Sequence, residues 1–282
     1  MIKNKKFDEE RALYGSNNIS VVNCKFSGPK DGESALKEST NIKVKDSYFN
    51  LRYPLWHDDN ISIDNCTLTK NCRAALWYTN NCVISKSKLH GIKALRECKD
   101  IKVKDSSVDS PEFGWRCNNV SLVNTKLVNT DYLFFESKNI SLNNVKMKGK
   151  YTFQYVENLT IENSYIDTKD AFWHAKNVVV KNSTIKGQYL GWYSQGLTLI
   201  NCKIIGTQPL CYCKNLKLVN CEMIDTDLAF EYSDVEATIK GSIDSIKNPK
   251  SGHIKVDNIK ELILKDSKYK CNCKIEEKHH LN

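Results

Sequence analysis

The chain has 282 residues, 40% of them hydrophobic, with only twelve glycines, five prolines and a formal net charge of +9. That supplies apolar material for one domain with a continuous core, and nothing in the composition asks for a second. The opening MIKNKKFDEERALYG is charged, without the apolar run of a signal peptide, and no stretch reaches the roughly 20 apolar residues of a membrane span. The expected location is therefore the cytoplasm, with no membrane partner.

From Asn18 onward one nine-residue pattern recurs along nearly the whole chain. It reads NISVVNCKF from Asn18, NIKVKDSYF from Asn41, NISIDNCTL from Asn60 and NCVISKSKL from Asn81. It continues as DIKVKDSSV from Asp100, NVSLVNTKL from Asn119, NISLNNVKM from Asn139 and NLTIENSYI from Asn158. NVVVKNSTI from Asn177, GLTLINCKI from Gly196 and NLKLVNCEM from Asn215 follow, with weaker copies at Asp234 and Glu261. Successive starts lie 19 to 23 residues apart, except for a last step of 27. A fixed period near 20 with apolar residues at alternate positions is the signature of a solenoid, in which each repeat is buried by its neighbours. The expected fold is all-β: a single-stranded, right-handed parallel β-helix of about a dozen coils with a period of about 19 residues. Right-handedness is expected because the hexapeptide triplets of left-handed helices are missing. The whole chain, 1–282, reads as one domain, with 1–17 as an N-terminal cap, 18–233 as regular coils and 234–282 as irregular coils and a C-terminal cap.

Within one coil, the residue after the leading Asn and the one two further on are almost always Ile, Val or Leu. On a strand these share a face, so they form the core. The residue between them, often Ser, Thr or Lys, points outward. A polar-plus-small pair such as Asn65-Cys66 or Asn163-Ser164 then turns the chain. The leading Asn suits a sharp bend because Asn tolerates φ > 0 better than any residue but Gly, and Gly196 replaces it once. Stacked about 4.8 Å apart in successive coils, these amides can bond along the axis, and the ladder reads as structural.

Each coil also carries a second, variable strand before the next Asn. Counting back from that Asn, the fifth residue is usually Leu or Phe: Leu36, Leu55, Leu76, Leu95, Phe134, Phe153, Phe172 and Leu210. This is the core ladder of that strand. The fourth residue includes Trp56, Trp77, Trp115, Trp173 and Trp192 together with Lys37, Arg96 and Gln154, a mixture that belongs outside. The third is Glu38, His57, Tyr78, Glu97, Arg116, Glu136, Tyr155, His174, Tyr193, Tyr212 and Glu231. Simple alternation would turn this third residue inward beside the core Leu, where such groups cannot sit without partners. Either the strand bends here, the preferred reading, or the core ladder is the tryptophan one.

Twelve cysteines would signal disulfides in a small secreted protein. Here Cys24, Cys66, Cys202 and Cys221 share a repeat position with Ser and Thr and read as small packing residues. Cys211 and Cys213, like Cys271 and Cys273, form CxC pairs, and His279 and His280 follow the second; zinc binding at the C-terminus is one reading, but CxC is a poor spacing for a tetrahedral site, so an ordinary tail is the preferred reading and no metal or other cofactor is expected. The lysines at outward strand positions, such as Lys43, Lys102 and Lys217, give a solvated surface and discourage edge-to-edge association. No nucleic-acid partner is expected, because no basic cluster coincides with a recognition motif. Oligomeric state is not readable.

One face thus carries aromatics beside carboxylates, imidazoles and an arginine. As a structural feature it is a self-satisfying polar ladder beside an aromatic stripe. As a functional one it is a groove for an oligo- or polysaccharide, with rings stacking on sugar faces and carboxylates and His supplying acid, base and hydrogen bonds. Two classes follow: a carbohydrate-active hydrolase or lyase, or a non-catalytic carbohydrate-binding or scaffold protein using the same face. The catalytic candidates are Glu97, Arg116 and Glu136, equivalent residues of three successive coils, with Glu38 and His57 as a second pair. At one coil rise each, the two carboxylates of the first set fall roughly 9 to 10 Å apart. That is near the upper end of the separation, about 6.5 to 9.5 Å, of an inverting glycosidase. An arginine between them favours a base over an acid, so a lyase-like role, with Arg116 neutralising a substrate carboxylate, is the other option. Trp56, Trp77, Trp115, Trp173, Trp192 and His174 are the ligand-binding candidates.

The NLTIENSYI-type coil, the Asn ladder and the 19-residue period resemble the right-handed parallel β-helix proteins of the pectin-lyase-like superfamily. The segments GESALKES, RYPLWH, RAALWY, ALREC and SPEFGWRC are similar to those of an uncharacterised bacterial family within it. This resemblance implies the fold over essentially the full length, and no chemistry. Where polygalacturonases open a strand with paired aspartates, this chain reads KNCRAALWY and DSPEFGWRC, and the calcium-holding aspartates of pectate lyases are not evident.

Overall fold

A computed structural model of the chain describes residues 1–28 and 32–278, which form twenty-eight strands and no helix. Wherever two strands pair they run parallel, one coil apart, which makes the protein a β-solenoid. The chain falls into two compact units, Met1–Lys148 and Gly149–Asn282.

In the first unit the longer strand of each coil stacks in register on the next. Ile42, Ile61, Cys82, Ile101, Val120 and Ile140 form one row, and Val44, Ile63, Ile84, Val103, Leu122 and Leu142 the other. Every one of them is buried, as the alternation requires. The short second strand adds Phe26, Phe49, Leu68, Leu89, Val108, Leu127 and Met147. Pairing begins earlier than a cap over 1–17 would imply. Ile2 already lies beside Val21, and Phe7 stacks on Phe26 at 4.9 Å.

The second unit repeats the scheme with Leu159, Val178 and Leu197 in register and Ile166, Ile185 and Ile204 on the second strand. Its last coils lose the corner between the two strands. Asp234–Lys247 and Ser251–Ile263 run as single strands of 14 and 13 residues, with a register shift between Ile239 and Ser242.

The bends are conformational, as the Asn pattern predicts. The coil-opening Asn and Asp residues from Asn18 to Asn215 hold φ between +50° and +59°, and Gly196 holds +70°. Their amides bond along the axis, Asn60 to Asn41 at 2.6 Å and Asn119 to Asp100 at 2.6 Å. Asn81 and Asn139 reach instead to the residue before the neighbouring bend, Asp59 and Asn118. A second ladder runs at the next corner, Asn65 to Asp46 at 2.7 Å and Asn124 to Asp105 at 2.9 Å.

The third residue before each Asn resolves the question of the variable strand. From Glu38 to Tyr212 these residues hold φ between +49° and +62°. A left-handed residue interrupts the alternation, so its side chain turns out while the fifth residue back stays buried. Behind it lies a buried ladder of small residues, Ser39, Thr79, Cys98, Cys117 and Ser137 in the first unit, broken by Asp58. Side chains of this ladder cap the backbone N–H of the coil before: Cys117 N–H donates to Ser137 Oγ at 3.0 Å, Ser39 N–H to Asp58 Oδ1 at 2.9 Å. In the final repeat the assignment shifts by one. Phe230 is core and Tyr232 takes the outward place, while Glu231 pairs with Lys247 at 3.0 Å.

None of the twelve cysteines is in a disulfide, and ten of them, Cys211 and Cys213 included, are buried. Among the described residues no group of three or more His, Cys, Asp and Glu side chains could hold a metal ion. His279 and His280 lie outside the described residues.

Candidate functional site

The outward ladders of the first unit run side by side. In the fourth position back, Lys37, Trp56, Trp77, Arg96, Trp115 and Phe135 stack along the axis, each half-buried. Lys37 Nζ lies 4.8 Å over the Trp56 ring, Trp56 and Trp77 are parallel with centroids 5.5 Å apart, and Arg96 is sandwiched at 5.1 Å from Trp77 and 5.2 Å from Trp115. Phe135 covers the far side of Trp115 at 5.2 Å. Rings stacked by coil translation spend their faces on one another. The surface therefore offers ring edges, and the expected platform of indole faces for sugar rings is not presented.

Their N–H groups divide into two kinds. Trp115 Nε1 donates to the Tyr132 carbonyl at 2.8 Å, Trp173 to Tyr189 at 2.7 Å and Trp192 to Gln208 at 2.8 Å. Trp56 Nε1 and Trp77 Nε1 are buried with no acceptor.

In the third position back, neighbouring groups complement each other one coil at a time. The Tyr14 hydroxyl donates to Glu38, which holds the Glu38 carboxyl below its usual range. His57 stacks on Tyr78 at 4.8 Å. Hydrogen bonding to Glu97 raises the Tyr78 phenol. Glu97 also lies 3.5 Å from the Arg96 guanidinium. Arg116 Nε donates to Glu136 Oε2 at 2.8 Å, a bond that raises the arginine further. The expected set Glu97, Arg116 and Glu136 is thus brought onto one line, with Arg116 committed to Glu136 and Glu97 paired with Arg96. Glu38 and His57 are likewise neighbours, one coil apart.

The candidates of the second unit form a different surface. Trp173 and Trp192 are parallel at 5.4 Å, and His174 is stacked between Tyr155 at 4.9 Å and Tyr193 at 5.1 Å. Tyr193 stacks in turn on Tyr212 at 4.7 Å. This row carries no carboxylate or arginine.

A feature that sequence reasoning passed over lies at the opening bends of the first unit. A cleft of about 600 Å³ runs along Asn18, Asn41, Asn60 and Asn81, with Lys43 and Ser62 beside them. The Asn ladder announces these residues, but its structural role explains them fully, so no pattern marks the cleft.

A family model described as "Protein of unknown function (DUF3737)" matches residues 1–276. The chain belongs to that family. The DUF3737 match takes in every residue of both ladders. No curated protein matches the chain. Similar solved structures include the A-module of the mannuronan C-5 epimerase AlgE4 from Azotobacter vinelandii, at 10% identity over 98% of this chain and 85% of that one, TM-score 0.31. PfbA, a surface adhesin of Streptococcus pneumoniae, is 10% identical over 92% of this chain and 70% of its own, TM-score 0.35. The pentapeptide repeat protein HetL from Nostoc sp. strain PCC 7120 is 14% identical over 78% and 91%, TM-score 0.26.

Proposed function

We propose that this DUF3737 protein is a non-catalytic binding module whose first unit holds an extended, hydroxyl-rich polymer, an oligo- or polysaccharide, along the ladder from Glu38 to Glu136. The observation that carries this reading is the commitment of the ladder's charges. Arg116 is tied to Glu136 at 2.8 Å, and the Glu97 carboxylate lies 3.5 Å from the Arg96 guanidinium. Groups held in place by neighbours are good hydrogen-bonding partners for hydroxyls and poor candidates for a proton-transfer role, which needs a carboxyl free to gain and lose a proton. The regular one-coil spacing suits a ligand that itself repeats along its length. Trp77 and Trp115 add ring edges beside the row.

A calorimetric screen of oligo- and polysaccharides against the full chain tests this. A polymer that binds wild type and binds Arg116→Ala and Tyr78→Phe at least about tenfold more weakly, with unchanged melting temperature, is the expected result. Equal affinity for wild type and both variants would move the site off the ladder. The alternative, a hydrolase or lyase using Glu97, Arg116 and Glu136, requires product formation that is lost in Glu97→Gln and Glu136→Gln.

A further inference from the structure

The coil-opening bends of the first unit crease the surface of the solenoid. Asn18, Asn41, Asn60 and Asn81 hold φ of +57°, +56°, +57° and +50°, and behind the two middle bends the next side chains, Ile42 and Ile61, turn into the core. The backbone at these places floors the cleft of about 600 Å³, with the Asn side chains on one side. On the other stand outward residues of the longer strand, among them Lys43, Ser62 and Val83, which are in register one coil apart. Four coils contribute, so the cleft extends over three coil rises, roughly 14 Å.

An unbroken ladder would use up the Asn amides, and here the ladder is interrupted twice. Asn60 Nδ2 donates to Asn41 Oδ1 at 2.6 Å, but Asn41 Nδ2 donates to Asn17 at 3.0 Å and Asn81 Nδ2 to Asp59 at 2.7 Å. The whole Asn18 amide and the side-chain oxygens of Asn60 and Asn81 are thereby left without a partner among the described residues. The Ser62 hydroxyl and the Lys43 ammonium are exposed and engaged by no described side chain. The amides that do bond along the axis fix the positions of the free atoms, which need little further ordering when a ligand arrives.

Free acceptors thus stand beside free donors, and this selects the ligand. An oxyanion only accepts, so three amide oxygens would face it unpaired. A hydroxyl donates and accepts, and satisfies both kinds of group. An extended peptide also offers both, but its like-facing groups recur about every 6.6 Å and fall out of step with side chains repeating at about 4.8 Å. A chain of pyranose rings, each close to one coil rise in length, keeps step over all four coils. No aromatic ring and no carboxylate is among the described lining residues, so the contacts are hydrogen bonds along ring edges.

We propose that this cleft is a separate subsite for a neutral glycan about four sugar units long, held by Asn18, Asn60, Asn81, Ser62 and Lys43. It uses none of the ladder residues from Glu38 to Glu136 and stands whether or not that ladder binds. The repeat itself supplies the variants that test it. Gly196 holds the same bend without a side chain, and Val83 already occupies the outward place of Ser62 in the next coil, so Asn60→Gly, Asn81→Gly and Ser62→Val keep the coil geometry. The full chain is titrated calorimetrically with neutral tetrasaccharides of glucose, mannose and N-acetylglucosamine, with a tetrauronate, and with an unstructured Gly-Ser peptide. At least one neutral tetrasaccharide is expected to bind at millimolar concentration or below, with little response to salt. The double variant Asn60→Gly, Asn81→Gly weakens it by about tenfold and Ser62→Val by about threefold, while Arg116→Ala leaves it unchanged. Ser62→Val alone decides the matter if the double variant does not fold. Failure of every neutral tetrasaccharide to bind, tighter binding of the tetrauronate or the peptide, or wild-type affinity in the cleft variants would overturn the proposal. Affinity lost in Arg116→Ala and kept in the cleft variants would overturn it too, and would leave the ladder reading standing.

Discussion

The exposed ladders of the two units occupy the same place in the coil, share the same left-handed backbone conformation, and are chemically unlike. In the first unit Glu38, His57, Tyr78, Glu97, Arg116 and Glu136 alternate acid, ring and base, and neighbours meet through hydrogen bonds and ion pairs. In the second, Tyr155, His174, Tyr193 and Tyr212 form a row of parallel rings 4.7 to 5.1 Å apart. Both obey one constraint. A parallel solenoid places equivalent side chains one coil apart, so each must suit the next, and charge complementarity and ring stacking are two ways of doing so. The first leaves polar tips able to meet a ligand's hydroxyls, and the second spends its surface on itself.

The largest expected effect comes from breaking the register that both ladders depend on. In the second unit a Cβ on Gly187 would lie 1.3 Å from the Thr168 carbonyl oxygen, and one on Gly206 2.1 Å from that of Gly187. Gly187→Ala should therefore cost about 3 to 5 kcal/mol in a denaturant melt, because the obstacle is backbone. Gly241→Ala, with φ at +75° but nothing within 4 Å, should cost only about 1 kcal/mol.

Next comes the buried row behind the exposed one, where Asp58 of the first unit stands among Ser, Thr and Cys. Burial pushes its carboxyl up to about 8, its Oδ2 has no partner, and the buried, neutral Cys82 thiol lies near it, with exposed His57 and Asp59 flanking it in sequence. In the unfolded chain the group titrates near 4, so between about pH 4 and 8 unfolding releases a proton. The stability linked to Asp58 is thus full below pH 4, falls as pH rises to about 8, and is flat beyond. Asp58→Asn keeps an acceptor for Ser39 N–H and should remove this slope, raising stability at pH 8 by a few kcal/mol in melts taken across the range.

A smaller effect separates two tryptophans of one stack. Trp115→Phe loses a 2.8 Å bond to the Tyr132 carbonyl, whereas Trp56→Phe gives up an N–H that had no acceptor. Trp115→Phe should be the more destabilising by about 1 kcal/mol. Smallest of all, Glu136→Gln breaks an ion pair whose two side chains are 53% and 43% exposed, and the melting temperature should stay as it was.

Much of this was legible in residue order because the repeat is strict. Ile, Val or Leu after nearly every Asn announces the core rows, and Gly196 in place of Asn announces the φ > 0 bend. The outward third position could be argued from Glu97 and Arg116, which have no place in a narrow core, but not its cause. Left-handed Tyr78 or His174 carries no residue signature of the kind Asn or Gly does. Glu231, expected in the outward row, yields that place to Tyr232 because the corner pattern fades before Asp234 and leaves no landmark to count from. The direction of the tryptophan faces is likewise absent from the pattern. It follows from the stacking partners Lys37, Arg96 and Phe135, which become visible only when coils are superposed.

The central claim is that the ladder of the first unit binds and does not turn over its ligand. Its most direct test is to incubate the tightest-binding polysaccharide with wild-type protein overnight and follow both chain length and new reducing or unsaturated ends by mass spectrometry. The account predicts an intact polymer that still binds, with affinity lowered in Arg116→Ala. Shortened chains or unsaturated ends formed by wild type and not by Glu97→Gln or Glu136→Gln would contradict it.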